Sequence, residues 1–194
     1  MSSDEQTVQR CGWSEANDLY VAYHDTQWGV PVRDDRALFE KLILDGFQAG
    51  LSWWIILKKT ENFRHAFDGF EPERIARYDE AKLAALKADA GIVRNKAKIQ
   101  AAVRNAQAWL RLREEGDSFS DFLWDFVGGQ TVHNHWTRLD QLPAQTAESQ
   151  AMAKALKKRD FRFCGPTITY AFMQAVGMVN DHLVTCFRHG ELRA

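Results

Sequence analysis

The sequence predicts an all-α protein. Three observations carry that reading. Apolar residues recur at helical spacing, most of the runs are introduced by a capping residue, and no stretch alternates with period two or shows a β-hairpin turn signature. The clearest stripe runs from about Asn95 to Glu115, where Ile99, Ala102, Val103, Ala106 and Leu110 share one face.

Taken in order, residues 1–9 read as a disordered lead-in to a single unit spanning 1–194. Asn17-Asp18 caps a short helix carrying Tyr20, Tyr23 and His24, which Gly29-Val30-Pro31 breaks. Asp34-Asp35 caps a longer helix with Leu38, Phe39, Leu42 and Ile43 inward. Gly46 and Gly50 predict an irregular turn across Phe47-Gln48-Ala49, before Ser52 caps Trp53 to Leu57. Thr60 opens a turn with Phe63 and Phe67 at i, i+4. Pro72 suits a first helical position, Asp79 caps the stretch holding Leu83 and Leu86, and Gly91 interrupts. Ser118 caps a helix whose inner face is Phe119, Phe122, Leu123 and Phe126, ended by Gly128-Gly129. Residues 130–147 lack periodicity and read as an extended loop. Ser149 starts a helix through Arg159, Phe161 to Gly165 forms a hairpin, and Pro166 begins a helix through Val176.

Composition narrows the function classes. No apolar run approaches the ~20 residues that span a bilayer, so no membrane association is expected. The polar, acidic start is unlike a secretory signal. With 3 cysteines there is no disulfide framework, which points to a reducing cytoplasm. The net charge of −1 means that any nucleic-acid contact must come from local segregation of charge.

Two constellations suggest chemistry. Between Cys11 and Gly29 stand Trp13, Tyr20, Tyr23, His24 and Trp28, with almost no aliphatic run beside them. Near the other end, His182 and Cys186 have the spacing that shares a helix face. Two thiols and two imidazoles suit one tetrahedral zinc joining about 10–30 to 178–190. On spacing alone, a buried thiol and a satisfied histidine at each end also fit. The second constellation is the run from Leu156 to Thr167. There a basic helix carrying Lys154, Lys157, Lys158 and Arg159 meets Arg162, turns through Gly165 and starts a new helix. Free N–H groups at that helix start would hold a phosphate, as in the helix–hairpin–helix element that it resembles. A solvated basic helix is the alternative. Asp89 to Arg94 is a weaker candidate for the same work.

Several motifs occur in one order: Cys11-Gly12-Trp13, Tyr23-His24-Asp25, Trp28-Gly29-Val30-Pro31, Gln48-Ala49-Gly50-Leu51-Ser52-Trp53, Phe172-Met173-Gln174 and Val179-Asn180-Asp181-His182. From about Arg10 to Cys186 the chain resembles DNA-3-methyladenine glycosylase I. The resemblance implies a helix–hairpin–helix glycosylase fold and a structural zinc held by Cys11, His24, His182 and Cys186. It implies excision of 3-methyladenine from alkylated double-stranded DNA by a monomer, with the free base as product. The implied catalytic residues are Asp45 and Tyr23. The implied substrate contacts are Trp13, Tyr20, Trp28, Gln48, Leu51 and Trp53, with Leu51 on a loop entering the DNA, and Lys157, Arg162, Gly165 and Thr167 on its backbone. Superfamily members that also cleave the backbone carry lysine where this chain has Thr167, so the implied enzyme is monofunctional. Glutamate is the family residue where this chain has Asp45, a side chain shorter by about 1.5 Å. Asp181 stands roughly where the superfamily's catalytic aspartate would; supporting the metal or capping a helix are its other readings. A glycosylase for another lesion, a free-nucleoside hydrolase and a zinc-stapled DNA-binding module are the alternative functions.

Overall fold

A computed structural model describes residues 8–193; residues 1–7, most of the predicted lead-in, lie outside the described residues. Gln9 is already anchored, its carbonyl accepting from the Phe187 amide at 3.0 Å.

The fold is helical as predicted. The N-terminal arm is a 3₁₀ turn, Gly12–Ala16, and α1, Asp18–Thr26, capped by Asn17. Next come α2 (Asp35–Gln48), α3 (Trp53–Leu57), α4 (Thr60–Ala66), α5 (Pro72–Ile75) and α6 (Glu80–Ala88). The long α7 (Lys96–Glu114) and α8 (Phe119–Trp124) follow, then α9 (Ala147–Lys158), α10 (Pro166–Ala175) and α11 (Phe187–Glu191). Asp34, Asp79, Asn95 and Ser118 each accept the backbone N–H that the capping rule assigns.

Four expectations need correction. Gly46 does not open a turn: α2 runs through it to Gln48. Its glycine serves packing, since a Cβ there would lie 3.3 Å from the Phe163 Cβ on the hairpin. In α8 the buried aromatics are Phe119 and Trp124, while Phe122 and Phe126 are only partly covered. The helix ends at Trp124, and a 3₁₀ turn over Asp125–Val127 rotates the following side chains off the predicted face. The 130–147 segment holds a two-residue strand, β1 (Val132–His133), paired in parallel with β2 (Val179–Asn180). A pair so short leaves no alternation to read. Finally, α9 starts at Ala147, because Thr146 rather than Ser149 is its cap and Ser149 closes the capping box.

The main core packs Leu38, Phe39, Leu42 and Phe47 of α2 against Phe63, Phe67, Ile99, Trp109, Phe172 and Met173. Interior polar groups fix the ends of its elements. The Asp35 carboxylate accepts from the Ser120 amide at 2.8 Å, tying the start of α2 to α8. The Lys98 ammonium donates to the carbonyls of Phe47 at 2.8 Å and Ala49 at 2.5 Å, satisfying the end of α2.

Gly177 sits where α10 gives way to β2 and where the chain from Gly29 to Pro31 crosses. Its φ is +73°, and a Cβ there would come within 2.5 Å of the Pro31 nitrogen and 2.6 Å of the Gly29 carbonyl oxygen. Both conflicts involve backbone, so Gly177→Ala should cost at least about 2–3 kcal/mol. Urea unfolding of the variant checks this; a midpoint at the wild-type value would contradict the close crossing.

Candidate active site

Cys11, His24, His182 and Cys186 are all buried, and their donor atoms lie within 4.8 Å of one another. The Cys11 Sγ–His182 Nδ1 separation is 3.7 Å, and Cys186 Sγ lies 3.5 Å from both His24 Nε2 and His182 Nδ1. A tetrahedron with arms of about 2.0–2.3 Å, the range for zinc–nitrogen and zinc–sulfur bonds, has edges of about 3.3–3.8 Å. The quartet therefore has the size and the donor chemistry for a closed metal site. Its surroundings fix which ring nitrogens face inward. His24 Nδ1 is 2.7 Å from Asp25, which Arg10 holds at 2.7 Å, and His182 Nε2 is 3.1 Å from the Trp28 carbonyl. Each histidine thus turns its other nitrogen to the cluster. The Cys186 thiol is held well below the ordinary thiol range, chiefly by hydrogen bonding from Cys11 and then from His182 and His24. His182 and Cys186 do not share a helix as the spacing suggested. Residues 181–186 are turns stabilised by Asn180 Oδ1 on the His182 amide and by the Leu183 carbonyl on the Cys186 amide, and Cys186 precedes α11.

Beside this knot lies a cavity of about 510 Å³ bounded by Tyr23, Lys41, Leu44, Trp53 and Ala175, with Glu40, Glu61 and Arg64 also in its lining. The Tyr23 and Trp53 rings lie 5.4 Å apart. Asp45 is 3% exposed; Oδ1 pairs with Lys41 one helical turn earlier, and Oδ2 has no hydrogen-bond partner. Trp53 Nε1 is likewise buried without one. Burial pushes the Asp45 carboxyl up and the Lys41 ammonium down, each only partly opposed by the other's charge. Asp45 itself does not border the cavity, but its partner Lys41 does. The Lys41 ammonium lies 4.1 Å from the centroid of the Trp53 ring, so this lysine links a buried unmatched acceptor to the ring that carries a buried unmatched donor.

The other predicted contacts are placed differently. Trp13, Tyr20 and Trp28 do not bound this cavity. Trp13 packs edge-on against Tyr20, His24 and Trp28 at 5.9, 5.4 and 5.2 Å, and so bridges the knot and the Tyr23 wall. Gln48 spends its amide on the Leu51 carbonyl at 2.6 Å, shaping the loop that leads to Trp53. Lys157, Arg162 and Gly165 line a separate concavity of about 430 Å³ with Phe161 and Phe163, and Thr167 is exposed one residue into α10.

Asp181 takes a structural part. It is 1% exposed and accepts from Asn134 at 2.7 Å, Trp136 at 2.8 Å, Tyr170 at 2.6 Å and Gln174 at 2.8 Å. Those four donors join the 130s segment to α10, and they leave the carboxylate no free edge for a reactant.

Sequence reasoning missed three contributors. Lys41 had one weak signal, its i, i+4 spacing to Asp45. Lys98 had none. Asn105 lies on α7 but clasps the hairpin, accepting from the Arg162 amide at 2.7 Å and donating to the Arg162 carbonyl at 3.1 Å.

A helical fold with an aromatic pocket, a buried carboxylate beside it and a separate basic turn suits an enzyme better than a simple binding module. Comparison with known proteins makes the assignment particular. A methyladenine glycosylase family model matches residues 13–189. DNA-3-methyladenine glycosylase 1 of Escherichia coli (strain K12) is 49% identical over 179 residues, covering 92% of this chain and 96% of that protein. The Haemophilus influenzae DNA-3-methyladenine glycosylase is 45% identical, covering 91% and 96%. A crystal structure of 3-methyladenine DNA glycosylase I superposes with a TM-score of 0.91 at 52% identity, covering 92% of this chain and 98% of that one. The Staphylococcus aureus enzyme, whose structure describes 3-methyladenine recognition, gives 0.89 at 34% identity, covering 92% and 95%. The chain belongs to the methyladenine glycosylase family.

Asp181→Asn would set an amide N–H against one of four donors. It should cost about 2–3 kcal/mol, as loss of a hydrogen bond to a charged group does, and leave base excision by the folded fraction intact. Denaturation and activity measured together check this; a variant of wild-type stability without activity would make Asp181 a catalytic group.

Proposed function

We infer that the protein removes 3-methyladenine from alkylated DNA, with the Tyr23–Trp53–Asp45 pocket receiving the base after it leaves the duplex. The observation that carries this reading is the pair of buried, unmatched atoms, Asp45 Oδ2 and Trp53 Nε1, linked through Lys41 where it borders the Tyr23–Trp53 cavity. A flipped base needs ring faces to replace the stacking it had in the duplex, worth about 1–3 kcal/mol per base, and polar partners for its edge. Asp45 accepts from that edge directly or through one water, which makes up for its shorter reach. Trp13, Tyr20, Trp28 and Gln48 act by shaping the wall and loop, and Leu51 stands on the loop that enters the duplex.

A 3-methylated adenine nucleoside is cationic, so its glycosidic bond is already weakened. In hydrolysis a water oxygen bonds to the anomeric carbon, the carbon–nitrogen bond breaks, its electron pair neutralises the departing base, and the added water gives up one proton to solvent. No strong general acid is needed. Asp45 and Tyr23 bind and orient, and electron-rich rings favour the cation over neutral adenine. With threonine at position 167 there is no amine to form a Schiff base, which fits a monofunctional enzyme.

The α9–α10 turn is the helix–hairpin–helix grip on the backbone of double-stranded DNA. Gly165 has an ordinary φ of −67° and no neighbour within 4 Å of a Cβ, so the chain's own packing gives no reason for glycine there. A closely approaching phosphate supplies one. The quartet Cys11, His24, His182 and Cys186 would hold zinc, which when bound is a crosslink with no open position. Residues 10–190 act as one unit and as a monomer. The three free cysteines suit a reducing cytoplasm, and no helix among the described residues is long and apolar enough to cross a membrane.

Incubation with methylated duplex DNA should release free 3-methyladenine, and release of no base would overturn the reading. Asp45→Ala should slow single-turnover release at least about tenfold, since a hydrogen bond to a charged group is worth about 1.5–3 kcal/mol. Release at the wild-type rate would remove the carboxylate from the mechanism. Lys157→Ala should flatten the salt dependence of DNA binding by about one unit for each phosphate that is no longer neutralised; an unchanged slope would count against the hairpin as the grip. Elemental analysis should find one zinc per chain, and metal-free folded protein would sink the zinc assignment.

A further inference from the structure

The two features that make the pocket suitable for a cationic base are both already in use. The Lys41 ammonium lies 4.1 Å from the centroid of the Trp53 ring and is paired with Asp45 Oδ1. The Lys41 side chain is 16% exposed and borders the cavity, so its route to solvent lies through the space that a base would enter. Among the described residues no other carboxylate is paired with it. Glu40 and Glu61 both face Arg64, at 2.8 and 2.5 Å.

We propose that Lys41 is a specificity-determining residue: a resident cation that a positively charged base must displace from Trp53 and Asp45. The proposal rests on the pocket assigned above. Its logic is exchange. A methylated adenine that carries positive charge restores both contacts the ammonium gives up, one to the ring face and one to the carboxylate. A neutral adenine can offer Asp45 an N–H donor but no charge, so it restores neither the cation–π contact nor the ion pair, and it leaves Asp45 ionised without a counter-charge in a buried place. The lysine thus turns a pocket that accepts flat bases into one that sorts them by charge. Burial, which weakens the hold of both partners on their charges, keeps the exchange within reach of a ligand.

The test compares 3,9-dimethyladeninium, which keeps the nucleoside's positive charge, with neutral 9-methyladenine, following Trp fluorescence. In wild-type protein the cation should bind the more tightly. In Lys41→Met that preference should fall about tenfold, the size of one desolvated cation–π contact of about 1.4 kcal/mol, because Asp45 then takes up a proton and the neutral base is no longer penalised. Lys41→Arg should keep the preference. A second measurement needs no variant: the ¹⁵N resonance of the Lys41 ammonium in wild-type protein should move to its solvated position at saturating cation. A preference unchanged in Lys41→Met, or an unmoved Lys41 resonance at saturation, overturns the proposal while leaving the pocket intact. Wild-type protein that binds neither compound overturns the pocket, and the lysine's part with it.

Discussion

The convergence of Cys11, His24, His182 and Cys186 is the constraint on which the rest of the structure depends. The N-terminal arm has little else to hold it. Its own apolar clusters are small, one around Cys11, Leu183 and Cys186 and one around Tyr23, Trp28 and Ala175. A crosslink closing a loop of roughly 175 residues contributes at most about 5 kcal/mol, an upper limit because unfolded chains keep some structure. That is comparable with the whole stability of many domains. The arm matters because α1 carries Tyr23 on the turn beside His24, so fixing the histidine fixes one wall of the pocket.

The opposite wall belongs to α2 and α3, and α2 links the pocket to the α9–α10 turn. Asp45 and Gly46 are adjacent: one holds the pocket's carboxylate, the other lets Phe163 of the hairpin approach the helix backbone. Phe163 itself has a φ of +55°, a strained conformation for a bulky residue, and Asn105 clasps the neighbouring Arg162. Lys98 completes the frame by satisfying the carbonyls at the end of α2. Hairpin and carboxylate therefore meet at adjacent residues of α2, so under the proposed function a grip on the DNA backbone would be set close to the place that receives the base.

Much of this was legible in the sequence because it is local. Caps such as Asn17, Asp34, Asp79 and Ser118 announce helix starts, and the α7 stripe repeats often enough to read. The knot residues were legible as a donor set, although the turns that bring His182 and Cys186 together were not. What stayed hidden depends on distant partners. Gly46 looked like a helix breaker because Phe163, which needs its bare backbone, is far along the chain. Asp181 resembled a catalytic aspartate until four donors from two segments were seen to use it up. Lys98 and Lys41 are ordinary surface types on amphipathic helices, and only tertiary packing turns them inward. The β1–β2 pair is too short to leave a pattern at all.

A metal in the quartet would hold the pocket together and leave the hairpin to its own packing, and one titration separates the two. Protein stripped with a chelator and protein with its metal would each be titrated with 3-methyladenine and, in parallel, with undamaged duplex DNA. Stripping should abolish base binding, because Tyr23 and Trp13 lose their anchor, while salt-dependent DNA binding through α9 and α10 persists. Base affinity undiminished in the stripped protein would contradict the knot's hold on the pocket.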